Sequence, residues 1–296
     1  GAVVQVDRQD IRNVLPVGGT LLGTDRYHPH RHEGGLEAVL ATLEAERIDA
    51  VICVGGDGTL HAASIVAEAG VRMVGIPKTI DNDVEGTDLS VGFHTAVNIA
   101  TEAIDRLHTT AESHNRVMVV EVMGRNAGWI AVNAGIAGGA EIVLAPEEPF
   151  DIDQVVRFLT HRHRAHASFS IVVVAEGAVP REGSGMTFEP QRGPNGEIVA
   201  GSASEQVARE IESRTGYESR MTILGHVQRG GTPTAYDRVL ATRFGVAAME
   251  AVADGAFGQM VGLHATDMAL VSLDEALREP KLLDPSLYET AEVFFG

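Results

Sequence analysis

Lys78, Thr79, Asp81 and Asp83 fall within one short stretch, "PKTIDND", and carry more chemistry than a turn requires. A polar turn is made with one or two such residues. Thr79, Asp81 and Asp83 alternate, so an extended chain after a strand ending at Pro77 would aim all three the same way. Two carboxylates and a hydroxyl so placed suit the activation of an acceptor alcohol. One carboxylate takes the hydroxyl proton, and the other orients the first or helps hold a metal. Lys78 would balance the negative charge. A solvated polar loop is the alternative.

Three further loops have the residue types for work on phosphates. In "VGGDGTL" (54–60) an apolar run enters glycines and a helix is expected near Thr59. Glycines admit a phosphate close to the backbone, and a helix N-terminus stabilises its charge. Asp57 would repel a phosphate directly, but fits if Mg²⁺ lies between them; a strand-to-helix turn capped by aspartate reads equally well. In "VEVMGRNAGWIA" (120–131) a helix is expected from about Asn126, with Arg125 placed to stabilise a phosphoryl group in transfer or to form a surface ion pair. In "RMTILGHVQRGGTP" (220–233) His226 and Arg229 flank glycines and suit a phosphate monoester, although a capped glycine turn has the same composition.

Composition limits the setting for this chemistry. The chain has 296 residues, 44% of them hydrophobic, a formal net charge of −18 and one cysteine, Cys53. That charge argues against a broad nucleic-acid interface, which needs a basic surface. A lone cysteine within "AVICV" reads as a core thiol in a reducing cytoplasm. No apolar run is long enough to span a bilayer, and no basic-then-apolar leader opens the chain. The abrupt start in a valine run suggests that a natural N-terminal segment precedes Gly1.

The elements that must position these loops are legible as alternating apolar runs and amphipathic stretches. Strands are expected at 49–54, 71–76, 116–123, 141–145, 169–175 and 221–225, each buried on both faces because none alternates in polarity. Helices are expected at 94–112, 152–166, 203–215 and 234–254; in the first, Ala96, Ile99, Ala100, Ala103, Ile104 and Leu107 mark one face. The alternation predicts an α/β fold with mainly parallel sheets and helices on both sides. Ligand loops then gather at the strands' carboxyl ends. The glycine- and proline-rich 180–202 reads as a surface loop or hairpin. "HRHRAH" (161–166) reads as an exposed helix end whose charges favour the dipole rather than as a metal site.

No Walker sequence and no protein-kinase motif set is present. Instead "GGDGT", "PKTIDND", "VEVMGRNAGWIA", "VAEG" and "GHVQRGGTPTAYDR", in this order, resemble the motifs of the 6-phosphofructokinase family from about Gly18 onward. "GGDGT" alone is shared with NAD and lipid kinases, which have no use for the other motifs.

The resemblance implies two Rossmann-like three-layer domains: 1–92 with 228–278 for the phosphoryl donor, and 93–227 with 279–296 for fructose 6-phosphate. It implies Asp81 as the base for the sugar's 1-hydroxyl, Thr79 in contact with the transferring group, and Arg125 stabilising its charge. Asp57 becomes the magnesium ligand, with Asp83 supporting. Met123, Gly124, Glu176, His226 and Arg229 would line the sugar-phosphate pocket. Arg116 and Arg220 would be donated across a subunit interface, so the assembly is at least a dimer, and a tetramer is expected. Arg26, Tyr27, Gly56, Asp57, Gly58, Thr59 and Lys78 fall on the donor side.

In this family glycine at Gly58 accompanies ATP and aspartate accompanies pyrophosphate, whereas lysine at Lys78 accompanies pyrophosphate. Removing a repulsive carboxylate outweighs adding an attraction, so ATP is the expected donor. A non-catalytic sugar-phosphate-binding subunit is the rival from another class; an intact Asp81, Thr79 and Arg125 argue against it.

Overall fold

The computed structural model describes residues 3–25, 27–165, 167–188, 191–193 and 198–294. Within it the chain forms two compact units. One takes the chain up to Thr79, Asp83–Gly92 and Thr232–Lys281; the other takes Ile80–Asn82, Phe93–Gly231 and the chain from Leu282. Gln228 is tied into the second unit through Met123, and Lys281 into the first through Asp83.

The first unit contains α1 (Gly35–Ala45), β1 (Val51–Gly55), α2 (Asp57–Glu68), β2 (Met73–Thr79) and β3 (Val91–Gly92). It is completed by α7 (Ala235–Ala253), β8 (Gln259–His264), β9 (Asp267–Ser272) and α8 (Leu273–Ala276). Its sheet runs β1-β2-β8-β9, with β3 paired to the end of β2. All pairings are parallel except β8 with β9. The two-residue side-chain period separates its faces. Val74, Ile76, Val261 and Leu263 pack against Leu240, Phe244 and Ala248 of α7. Met73 packs with Ala63 and Val66 of α2 and with Leu36 and Val39 of α1. The sheet is thus the middle of three layers.

The second unit contains α3 (Phe93–His114), β4 (Val117–Val122), α4 (Trp129–Ala137), β5 (Ile142–Leu144) and α5 (Ile152–Arg164), followed by β6 (Ser170–Ala175), α6 (Ser202–Thr215), β7 (Ser219–Ile223) and α9 (Pro285–Glu292). Its sheet is parallel throughout, in the order β5-β6-β4-β7. Every residue of β4, β5 and β6 is buried, as expected for apolar strands covered on both faces. The amphipathic α3 turns Ala96, Ala100 and Ile104 fully inward. Both units are α/β with mainly parallel sheets, as the apolar runs predict.

Several expectations differ from the structure. β7 occupies 219–223 rather than 221–225, and it is an edge strand: among the described residues it pairs only with β4, and Met221 and Ile223 are exposed. Strand β2 does not stop at Pro77 but runs through it to Thr79. β8 pairs with β2 only at Val74 and Gly75, so the missing proline N–H leaves that ladder intact. The β8–β9 hairpin was not expected at all. At the end of α5, Arg162 pairs with Glu141 at 2.6 Å and His163 stacks on Tyr217 with ring centroids 4.0 Å apart. Those two side chains are therefore used in packing rather than only at an exposed helix end. His166 lies outside the described residues.

Candidate active site

In the first unit the loop between β1 and α2 is built from glycines that answer to different constraints. A Cβ on Gly55 would lie 2.4 Å from Cβ of Thr59, and one on Gly56 would lie 3.2 Å from Cβ of Thr79. Both glycines are needed for α2 to start tight against β2. Gly56 then accepts the first helical bonds from Thr59 and Leu60 N–H, and Thr79 stands beside it. Gly58 is different: a Cβ there would meet only His28 Cε1, at 3.6 Å. The backbone does not require glycine at that position.

Asp57 opens α2, half-exposed, with its carboxylate 3.1 Å from His61 Nδ1. Thr79 O accepts from Ser90 Oγ at 2.8 Å, which fixes the end of β2. Lys78 is exposed. Tyr27 stacks on His32 at 4.5 Å, and Arg26 lies outside the described residues.

In the second unit Asp81 is buried, 2% exposed, with Arg125 Nε 3.3 Å from its Oδ2. The loop after β4 that carries Arg125 is sharply bent. Gly124 has φ +144° and Arg125 +55°, and a Cβ on Gly124 would lie 2.5 Å from Ala127 O. Gly177 is needed for the same packing, since its Cβ would come within 2.1 Å of Arg125 O. Glu176 Oε1 accepts from the N–H groups of Gly124, at 3.3 Å, and Arg125, at 2.9 Å. Burial pushes the Glu176 carboxyl above the usual range; the Arg125 N–H opposes this, and nearby Asp81 adds to the rise. Met123, Gly124, Arg125 and Glu176 are thus assembled at the carboxyl ends of β4 and β6.

His226 and Arg229 are exposed on a 3₁₀ segment, Gly225–Arg229. A three-residue turn sets them on one side. Arg116 and Arg220 converge elsewhere. Arg116 Nη2 is 2.8 Å from Glu218 Oε1, the same oxygen that Arg220 pairs with, and these bonds hold the Glu218 carboxyl below its usual range, Arg116 first. Arg116 precedes β4, whereas Gly124 follows it. The six residues of β4 lie between the two and span roughly 20 Å at about 3.3 Å per residue.

Asp83 is half-buried, and its carbonyl accepts from Lys281 N–H at 3.0 Å. The expected alternation of Thr79, Asp81 and Asp83 on one extended edge does not occur. Asn82 between the aspartates has φ +54°, which breaks the extended path.

Two supporting residues escaped the sequence reading. Gln228, 1% exposed, accepts from Met123 N–H and donates to Gly225 O. Glu121, inside β4, accepts from Ser204 N–H and Oγ and from Gly201 N–H at the start of α6. Both sit within quoted motifs, so the motif itself was the available signal.

Residues 1–252 match the phosphofructokinase family. The chain belongs to that family. A pyrophosphate–fructose 6-phosphate 1-phosphotransferase of Amycolatopsis methanolica is 54% identical over 287 residues, 97% of this chain and 84% of the relative. An ATP-dependent 6-phosphofructokinase of Mycobacterium tuberculosis is 52% identical over 290 residues, 98% of this chain and 84% of the relative. Among solved structures, the phosphofructokinase of Pichia pastoris in the T-state superposes with a TM-score of 0.80 at 30% identity, covering 98% of this chain but 31% of that one. A pyrophosphate-dependent phosphofructokinase from Marinobacter aquaeolei shares the fold at a TM-score of 0.78 and 22% identity, covering 95% of this chain and 71% of that one. This phosphofructokinase therefore has relatives named for each of two phosphoryl donors.

Proposed function

We propose that the protein transfers the terminal phosphoryl group of ATP to the 1-hydroxyl of fructose 6-phosphate, giving fructose 1,6-bisphosphate and ADP. The observation that carries this is the buried Asp81 carboxylate beside the Arg125 guanidinium, on a loop that also presents Met123 and Gly124. Asp81 takes the hydroxyl proton as the new O–P bond forms and the bond to the leaving ADP oxygen breaks. Arg125 offsets the charge on the equatorial oxygens, and Thr79 contacts the same group. Met123, Gly124, Glu176, His226 and Arg229 hold the sugar phosphate, with Arg229 able to offer two parallel donors.

Arg116 and Arg220 stand at the amino ends of their strands, too far from Gly124 to serve their own protomer's pocket. This supports their donation to a neighbouring subunit and an assembly of at least two chains, with a tetramer expected. Among the described residues no cluster of three metal-ligating side chains occurs. The half-exposed Asp57 carboxylate at the start of α2 would hold Mg²⁺, which would supply neutralisation of the donor's charge. Asp83 supports Asp57. No helix among the described residues is long and apolar enough to cross a membrane, which is compatible with a cytoplasmic enzyme.

The open space at Gly58 favours ATP, since glycine there answers to no packing constraint and leaves room for a nucleotide phosphate. Gly56, Thr59, Tyr27 and Arg26 share the donor side. Lys78, exposed at the end of β2, favours a second reading, with pyrophosphate as donor. Initial rates with fructose 6-phosphate and MgATP, against the same sugar with magnesium pyrophosphate, separate the two. The proposal expects kcat/KM at least about tenfold higher with ATP, equivalent to about 1.4 kcal/mol of discrimination. A higher value with pyrophosphate overturns the choice of donor, and no turnover with either overturns the activity.

A further inference from the structure

Strand β4 ends at Val122, and the next three N–H groups of the chain are taken up by side chains instead of a neighbouring strand. Glu176 Oε1 accepts from Gly124 and Arg125, and Gln228 Oε1 accepts from Met123 at 3.3 Å. Gln228 Nε2 turns back to donate to Gly225 O at 3.1 Å. One amide thus joins the end of β4 to the first residue of the 3₁₀ segment Gly225–Arg229. Gln228 is the only buried residue of that segment, while Val227 beside it is 63% exposed. The segment is therefore fastened inward by a polar side chain and not by an aliphatic one. Glycines lie at both ends of it, Gly225 at φ +49° and Gly231 at φ +78°, so the backbone alone does little to hold its orientation.

We propose that Gln228 is a positioning residue for sugar-phosphate binding, its amide holding the 3₁₀ segment that carries His226 and Arg229 against the end of β4 at Met123. The inference rests on the reading of Met123, His226 and Arg229 as parts of the fructose 6-phosphate pocket. All four residues lie in the second unit. Both bonds are made by the Gln228 side chain itself, so a substitution removes them, and Arg229 is the next residue along the chain. Without the amide, Met123 N–H and Gly225 O lose this partner in a place where Met123 is 8% exposed. The segment must then shift or admit water to satisfy them. Any shift reaches Arg229, whose parallel donors match a phosphate only in a narrow geometry. Leu224 N–H still donates to Glu121 O at 3.1 Å, and Gly231 still lies beside Ile99 of α3, so the segment loosens without unfolding the unit.

The test is Gln228→Met, which keeps the side chain's length and removes both bonds, made in the parent and in Arg229→Ala. Fructose 6-phosphate binding is read by calorimetry, turnover by steady-state kinetics, and the tie itself by backbone hydrogen exchange of the 120–125 and 220–231 peptides. The expected result is a sugar-phosphate Kd and KM raised about ten- to thirtyfold, with kcat and the donor KM within about threefold. In Arg229→Ala the same substitution changes Kd by less than about threefold, because the guanidinium it orients is gone. Exchange rises at least about tenfold in both peptides. Parent-like Kd in Gln228→Met overturns the proposal, as does a fall in kcat with KM unchanged. Losses that multiply independently in the double variant overturn it too, since they would mark a general loosening unrelated to Arg229. If Gln228→Met is insoluble, Gln228→Leu decides by the same readouts; if neither folds, Gln228 is a folding residue and the positioning role is rejected. A parent that binds no fructose 6-phosphate defeats the pocket reading and this role with it, whereas a parent that binds no better than Gln228→Met defeats this role alone.

Discussion

Gly55, Gly56 and Gly58 lie within one four-residue turn, yet the side chain each would carry meets very different surroundings. At Gly55 the obstacle is Thr59, at Gly56 it is Thr79, and at Gly58 there is only the edge of His28 at 3.6 Å. The first two glycines are therefore explained by folding, and the third is not. This difference makes Gly58→Asp a suitable probe, since a Cβ there meets no backbone atom within 4 Å. A like charge set against a nucleotide phosphate costs several kcal/mol. The expected outcome is a fall of at least about a hundredfold in kcat/KM for ATP, with pyrophosphate affected less than about tenfold. Unchanged ATP kinetics would show that no donor phosphate comes near Gly58.

At the scale of elements, the strand ends are held by carboxylates that reach backbone N–H groups far away in sequence. Glu176 holds the loop after β4, Glu147 holds Gly128 before α4, and Glu121 holds the start of α6. Glu121 is the most enclosed of these, 2% exposed. Its replacement by alanine strands Gly201 and Ser204 N–H groups, at a cost of about 2 kcal/mol. Melting should fall by roughly 4–8 °C for a chain of this size. Differential scanning calorimetry checks this, and a change under about 1 °C would mean that water or another group replaces the carboxylate.

Such ties explain the uneven legibility of the chain. "VMVVEV" and "SIVVVA" announce buried parallel strands because their apolar runs are unbroken, and the structure places them at the sheet centre. The glutamate inside the first run looks like an interruption, because its partners lie 80 and 83 residues away. The β8–β9 hairpin went unread because its turn uses Ala265 at φ +54° and Thr266, without the Asn-Gly or Asp-Gly chemistry that marks such turns. β7, which carries Arg220 and Thr222, lies at the edge, where the apolar "MTI" alone did not reveal its exposure.

For the whole molecule, the net charge of −18 frames how anionic substrates are held. In the proposed reading, binding comes from local guanidinium groups such as Arg125 and Arg229, because the overall field opposes it. The motif loops were legible as a set, yet their joint geometry was not: the positive φ of Asn82 breaks the extended edge that the alternation of Thr79, Asp81 and Asp83 suggested. The candidate site therefore depends on Asp81 and Arg125 as a pair rather than on a row of three side chains.

The most direct measurement is turnover of fructose 6-phosphate with MgATP by the parent and by Asp81→Ser, together with binding of the sugar phosphate by each. Loss of the base should lower kcat by about a hundred- to ten-thousandfold. Serine leaves the groups assigned to the sugar phosphate in place, so binding should stay within about fivefold. Equal turnover by the two proteins would contradict the account at its centre.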